Sequence, residues 1–159
     1  MTRAEKPHLV SLVPAVARPF QGAPAGIASR VAAAIVDMIL VVVILLAGYA
    51  CVAALMFLSH PRSFSFPSPP ASVSGSIASF GAMLYLSVSW AATGRTFGDR
   101  LLGLRVITRA GGRVHTIRAV LRAMTYVLVP VGLIWVPISR HNRSIQDIVF
   151  RTSVVYDWE

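Results

Sequence analysis

From Met38 to Leu58 the chain runs 21 residues without a charged side chain, and that run limits what it can fold into. As a helix it is about 31 Å long, enough to cross a hydrocarbon core of about 30 Å. Composition points the same way. The chain is 55% hydrophobic and 13% charged, whereas soluble domains carry about 25% charged residues. With a mean hydropathy of +0.68, it has too few polar groups to cover its own surface. Lipid is the expected solvent.

The residues before and after this run suggest the organisation. Residues 1–26 form a tail with Pro7, Pro14, Pro19 and Pro24, expected to be disordered. Three apolar regions follow, at about 31–58, 73–92 and 120–138. Ser59–Pro70, "SHPRSFSFPSPP", separates the first two and is too rich in proline for helix. The second repeats small residues every fourth position, Gly75 with Ser79 and Ala78 with Ala82, a spacing that lets helices approach closely in lipid. The third is interrupted by Pro130, Gly132 and Pro137. It is either one kinked span or a re-entrant hairpin. Between the second and third regions, "LRVIT" and "RAGGRV" read as a strand, a glycine turn and a return strand, and "TIRAVLRAM" as a helix. "TSVVYDW" near the end has strand character. The expected class is an all-α membrane protein: two long transmembrane helices, a third Pro/Gly-interrupted apolar region and a small cytoplasmic β element, with the membrane domain over 27–156 and residues 157–159 as its end.

Charge orients this arrangement. The net charge is +9, and Lys6 is the sole lysine. Seven arginines crowd Thr93–Arg122, four basic residues lie at or before Arg30, and the Ser/Pro loop has only Arg62. By the positive-inside rule the N-terminus and the arginine-rich loop are cytoplasmic. The tail beyond Ile138 carries Arg140, Arg143 and Arg151. It is therefore expected on the same side, which favours a third region that turns back and lets "LRVIT" pair with "TSVVY". The expected location is a bacterial plasma membrane, multi-pass. The arginines flank apolar runs, so no nucleic-acid partner is expected. An anionic lipid at the arginine-rich loop is a possible partner.

Signals for chemistry are sparse. Cys51 stands alone, which excludes an intrachain disulfide and a CxxC metal site. There is no GxxxxGK, HExxH or GxSxG, and His8, His60, His115 and His141 are scattered. No enzyme activity and no cofactor are expected. The informative charges are Arg30 and Asp37, which share a helix face about 10 Å apart along the axis. Arg30 is expected to snorkel to the headgroups. Asp37 then lies just below the interface and needs a partner, for which Arg118 and Arg122 are the candidates. It is either an inter-helix ion pair that fixes packing or a carboxylate that handles a proton or cation. Asp147 follows Arg143 by four residues and reads, taken alone, as a helix-surface pair.

These residues resemble the RDD family of bacterial integral membrane proteins, named for one arginine and two aspartates. Arg30, Asp37 and Asp147 match them. "GRTFGDRLLGLRVI" resembles the family's central motif through Gly94, Thr96, Gly98, Gly103, Arg105 and Val106. Arg122 in "RAVLR" resembles the entry to the last apolar region, and "DIVFRTSVV" the closing segment. The resemblance covers about Ile27 to Tyr156. Asp99 departs from it, since the residue after Gly98 is usually basic. The resemblance implies a membrane protein for which transport, including sodium/proton exchange, has been proposed. Two expectations follow. The chain is an accessory or interaction subunit packing beside other membrane proteins, or it is a component of a cation/proton transport system using Asp37 and Asp147. It is too small to form an ion pathway alone, so the second needs a homo-oligomer or a membrane-protein partner.

Overall fold

A computed structural model of the chain describes residues 18–108, 111–129 and 144–158. Two helices dominate it, α1 (Ile27–Ser59) and α2 (Ala71–Ala92), both long and apolar enough to cross a membrane. Val42, Val43 and Leu46 on α1, and Phe80, Leu84 and Val88 on α2, are exposed. Outward apolar faces of this kind suit lipid. With 33 residues, α1 is about 50 Å long, more than a hydrocarbon core requires. Its first turns, from Ile27 to Asp37, belong to a polar head built from the rest of the chain.

That head contains α3 (Phe97–Leu101), β1 (Leu104–Thr108), α4 (Thr116–Leu128), α5 (Ile145–Val149) and β2 (Thr152–Tyr156). β1 and β2 pair antiparallel, Leu104 opposite Tyr156 and Val106 opposite Val154. The other edge of β2 is taken by the N-terminal segment: Gly22 and Ala25 donate to the Tyr156 and Val154 carbonyls at 2.7 and 2.9 Å, and Tyr156 donates to Ala23 at 3.0 Å. Residues 18–26 are thus an ordered edge of the head, where disorder was expected, because β2 offers them unpaired backbone groups. Residues 1–17 lie outside the described residues.

One local design occurs twice in the head. Thr96 and Ser144 are N-caps, and Asp99 and Asp147, three residues later, complete a capping box in each case. A five-residue helix follows, then a left-handed residue, Gly103 (φ 61°) or Arg151 (φ 53°), and then a five-residue strand. Val106 and Val154 are equivalent positions of the two copies and face each other in the ladder. The two copies are therefore related by a local two-fold axis between them.

Other details differ from the sequence reading. After β1 the chain turns tightly, with Thr108 N–H bonded to the Gly112 carbonyl at 2.9 Å. No return strand follows among the described residues, because β1 already has β2 on one side and the Gly94 carbonyl on the other. The small residues of α2 do not seat α1 tightly. A Cβ at Gly75 would meet nothing within 4 Å, and Ala78 and Ala82 border a cavity. Of the third apolar region, α4 is described through Val129, and Pro130, Gly132 and Pro137 lie outside the described residues. α4 buries Ala119, Arg122 and Ala123 and exposes a second, apolar stripe of Ile117, Leu121, Met124 and Leu128. The Val129 carbonyl accepts from the Gln146 side chain at 3.0 Å, which ties the end of α4 to α5.

Candidate functional site

Asp147 is the most deeply buried charge in the head. Its side chain is fully shielded, and the two arginines that reach it are each 3% exposed. Arg30 comes from the first turn of α1 and bonds Oδ2 through Nη1, while its Nε donates to the Ala25 carbonyl at 3.2 Å. Arg122 comes from α4 and bonds Oδ1 at 2.7 Å. Its Nη1 also donates to Thr152 Oγ1 at 2.8 Å, and its guanidinium lies 4.7 Å from the centre of the Trp90 ring. The Ser144 N–H completes the shell at 3.2 Å. Burial alone pushes the Asp147 carboxyl up, but Arg122 and Arg30 outweigh it and hold it at about 2, below the usual 3.8.

This arrangement corrects three expectations. Arg30 does not snorkel: it is buried and bound to Asp147. Arg122 serves Asp147 and not Asp37. Asp147 is a core residue and not a surface partner of Arg143, which lies outside the described residues.

Asp37 is held differently. Thr96 Oγ1 donates to its Oδ2 at 2.6 Å. The Gly98 N–H and the Tyr85 hydroxyl donate to Oδ1 at 2.8 and 2.7 Å. These three donors, the ones found among the described residues, are neutral. Arg118, the other candidate partner, is exposed. Asp37 therefore fastens α1 to the start of α3 and to α2 by hydrogen bonds alone. Asp99 stands beside it, closing the capping box with Thr96 and accepting from Trp90 Nε1 at 3.2 Å. An aspartate at 99 fits here because it is an N3 acceptor that a basic residue could not replace.

The central motif now has physical causes. Gly98 sits where a Cβ would run into the Ala33 carbonyl and crowd the Asp37 carboxyl, so only glycine lets α3 touch α1. Gly94 (φ 73°) presses on the Val106 carbonyl, and Gly103 (φ 61°) has the Trp158 ring where a Cβ would stand. Arg105 pairs with Asp157 at 2.9 Å, and Arg95 joins the same carboxylate at 2.7 Å. Val106 is core, 1% exposed.

Arg30, Asp37, Asp99 and Arg122 line one end of a cavity of about 430 Å³ between α1, α2 and α4. Sequence reasoning found four of the principal charges but missed Tyr85, Trp90, Ser144 and Thr152. Ser144 had a signal in the S-x-x-D box. The other three had none, because only the fold brings them in. Among the described residues no three His, Cys, Asp or Glu side chains cluster to hold a metal ion. Chemically the arrangement can hold helices together through buried charge, and it sets a carboxylate with neutral donors beside an open space.

The RDD family model matches residues 24–151. That range contains Arg30, Asp37, Arg122, Asp147 and the whole central motif. No curated protein and no solved structure matches the chain.

Proposed function

The chain belongs to the RDD family, and from that premise we propose that it is an accessory or interaction subunit that packs against other membrane proteins. The observation that carries this reading is the inward closure of its principal charges. Asp147 is satisfied by Arg30 and Arg122, and Asp37 by Thr96, Gly98 and Tyr85. The described helices turn apolar faces outward, including the stripe of Ile117, Leu121, Met124 and Leu128 on α4. A rigid head fixing two apolar helices suits a partner that reads shape and apolar surface.

The proposed setting is a bacterial plasma membrane with the head on the cytoplasmic side. Arg95, Arg100 and Arg105 lie at the head end of the helices, while the Ser/Pro loop at the other end has Arg62 alone. The pairing of β2 with residues 22–25 supports placing the C-terminal strand on the same side as the start of α1. Native mass spectrometry of protein drawn gently from its own membranes tests the reading. A fixed-stoichiometry complex with larger subunits is expected; a homo-oligomer alone would count against it.

One observation favours a second reading, a component of cation/proton transport. Asp37 borders the cavity and has no guanidinium donor among the described residues, so there it can gain a proton or cation without breaking an ion pair. Asp37→Asn separates the two. Intact assembly with proton-coupled cation flux lost in vesicles supports transport, whereas lost assembly supports the packing role.

A further inference from the structure

The cavity between α1, α2 and α4 has two chemically different ends. Its volume of about 430 Å³ falls within the ~300–1,000 Å³ of small-molecule sites. One end is apolar, lined by Val41, Leu45, Ala78 and Ala82, where the small side chains of α2 leave room beside α1. The other end holds Asp99, Trp90 and Arg122.

Two charged side chains at that end keep unpaired atoms among the described residues. Arg122 uses Nη1 on Asp147 and Thr152, its Nε is shielded, and its Nη2 has no acceptor among the described residues. Asp99, 8% exposed, accepts the Thr96 N–H and Trp90 Nε1 on the same oxygen, Oδ2. Its Oδ1 accepts nothing among the described residues. The Trp90 indole stands between the two, stacked under the guanidinium and bonded to the carboxylate. An unused cationic donor and an unused anionic acceptor thus flank one aromatic ring, with Tyr85 and Tyr126 also lining the space. Buried groups of this kind are normally satisfied.

We propose that the cavity binds a zwitterionic phospholipid. Its phosphate meets Arg122 Nη2, its ammonium meets Asp99 and the aromatic faces, and one acyl chain lies between α1 and α2. Ammonium groups are attracted to aromatic faces as well as to carboxylates. A purely anionic headgroup would satisfy Arg122 and leave Asp99 facing a like charge. A hydrocarbon alone would satisfy neither. The length of α1 beyond the hydrocarbon core places this polar end at headgroup level, where such a lipid presents its charges. The proposal stands apart from the accessory reading, since a subunit or a transporter could each hold the lipid.

The test reconstitutes the full chain in nanodiscs with equal phosphatidylethanolamine and phosphatidylglycerol. The protein is then extracted in mild detergent, and retained lipid is identified by native mass spectrometry. Wild type is expected to retain phosphatidylethanolamine over phosphatidylglycerol by about tenfold, the scale of one charge-assisted hydrogen bond. Asp99→Asn keeps an acceptor for the Thr96 cap but removes the charge, and should bring the two lipids near parity. Ala82→Leu fills the apolar end away from the charged network, and should lower retention of both by about tenfold. Equal retention or a preference for phosphatidylglycerol in wild type would overturn the proposal, as would no retained lipid. So would unchanged retention in Ala82→Leu, which decides the matter even if Asp99→Asn fails to fold.

Discussion

Arg122 donates to Asp147 across 2.7 Å at a place where the two side chains are 3% and 0% exposed. Arg30 holds the other oxygen of the same carboxylate. One aspartate therefore joins α1, α4, α5 and β2, which are far apart in the sequence. Buried ion pairs are weak evidence for net stability, because desolvation offsets much of their attraction. What they do impose is a penalty on any packing that separates them.

Asp147→Asn leaves two buried guanidiniums without a counter-charge. It should destabilise the head by about 3–5 kcal/mol, the scale for breaking a buried pair. Replacing all three, with Arg30→Met, Asp147→Leu and Arg122→Met together, should be less damaging than the single change. Unfolding in mixed detergent micelles measures both. A triple variant worse than Asp147→Asn would mean that the ions contribute net stability beyond mutual compensation.

The pH dependence has a definite sign. The folded Asp147 carboxyl lies at about 2, below its usual 3.8. A depressed carboxyl contributes stability that is fully present above the unfolded value and lost as pH falls through the folded one. Stability should therefore drop between about pH 4 and pH 2, and Asp147→Asn should flatten that part of the curve. A titration of micellar unfolding from pH 6 to pH 2 reads the difference directly.

Two glycines should differ in how they can be rescued. Gly98→Ala drives a methyl group into the Ala33 backbone, which cannot swing aside. It should cost at least about 2 kcal/mol. Gly103→Ala meets the Trp158 ring, a side chain that can be removed. In a Trp158→Ala background its effect should shrink to the left-handed strain alone, about 1–2 kcal/mol. Equal costs for Gly103→Ala in the two backgrounds would show that the ring is not the obstacle.

The repeated capping boxes offer an internal control. Ser144→Ala removes a cap, a loss of about 1 kcal/mol. Thr96→Ala removes the equivalent cap and also the hydroxyl that donates to Asp37 at 2.6 Å. It should cost about 1–3 kcal/mol more, the range for leaving a buried acceptor short of a donor. Matching losses in the two variants would mean that Asp37 does not depend on Thr96.

The two long helices were readable because uncharged runs of that length have few other solutions. The strand segments were readable from β-branched residues in "LRVIT" and "TSVVY". The charge pairing was not. Helical spacing tells which residues share a face, but not which distant element will meet that face. Arg30 therefore suggested the headgroups and Asp37 suggested an arginine, while the fold gives Arg30 an aspartate 117 residues away and gives Asp37 neutral donors. The glycine pair at Gly111 and Gly112 suggested a hairpin for a similar reason. It makes the turn, but the partner that β1 takes is set by β2.

The separation between Arg30 and Asp147 also bears on the order of synthesis. A ribosome delivers Arg30 first and Asp147 only 117 residues later. Domains generally fold in the order they emerge, yet here α1 stays without its counter-charge until a residue 117 positions later has been added. The head is thus a clasp fastened by α5, and a product truncated before Asp147 would leave the arginine at the start of α1 exposed to quality control.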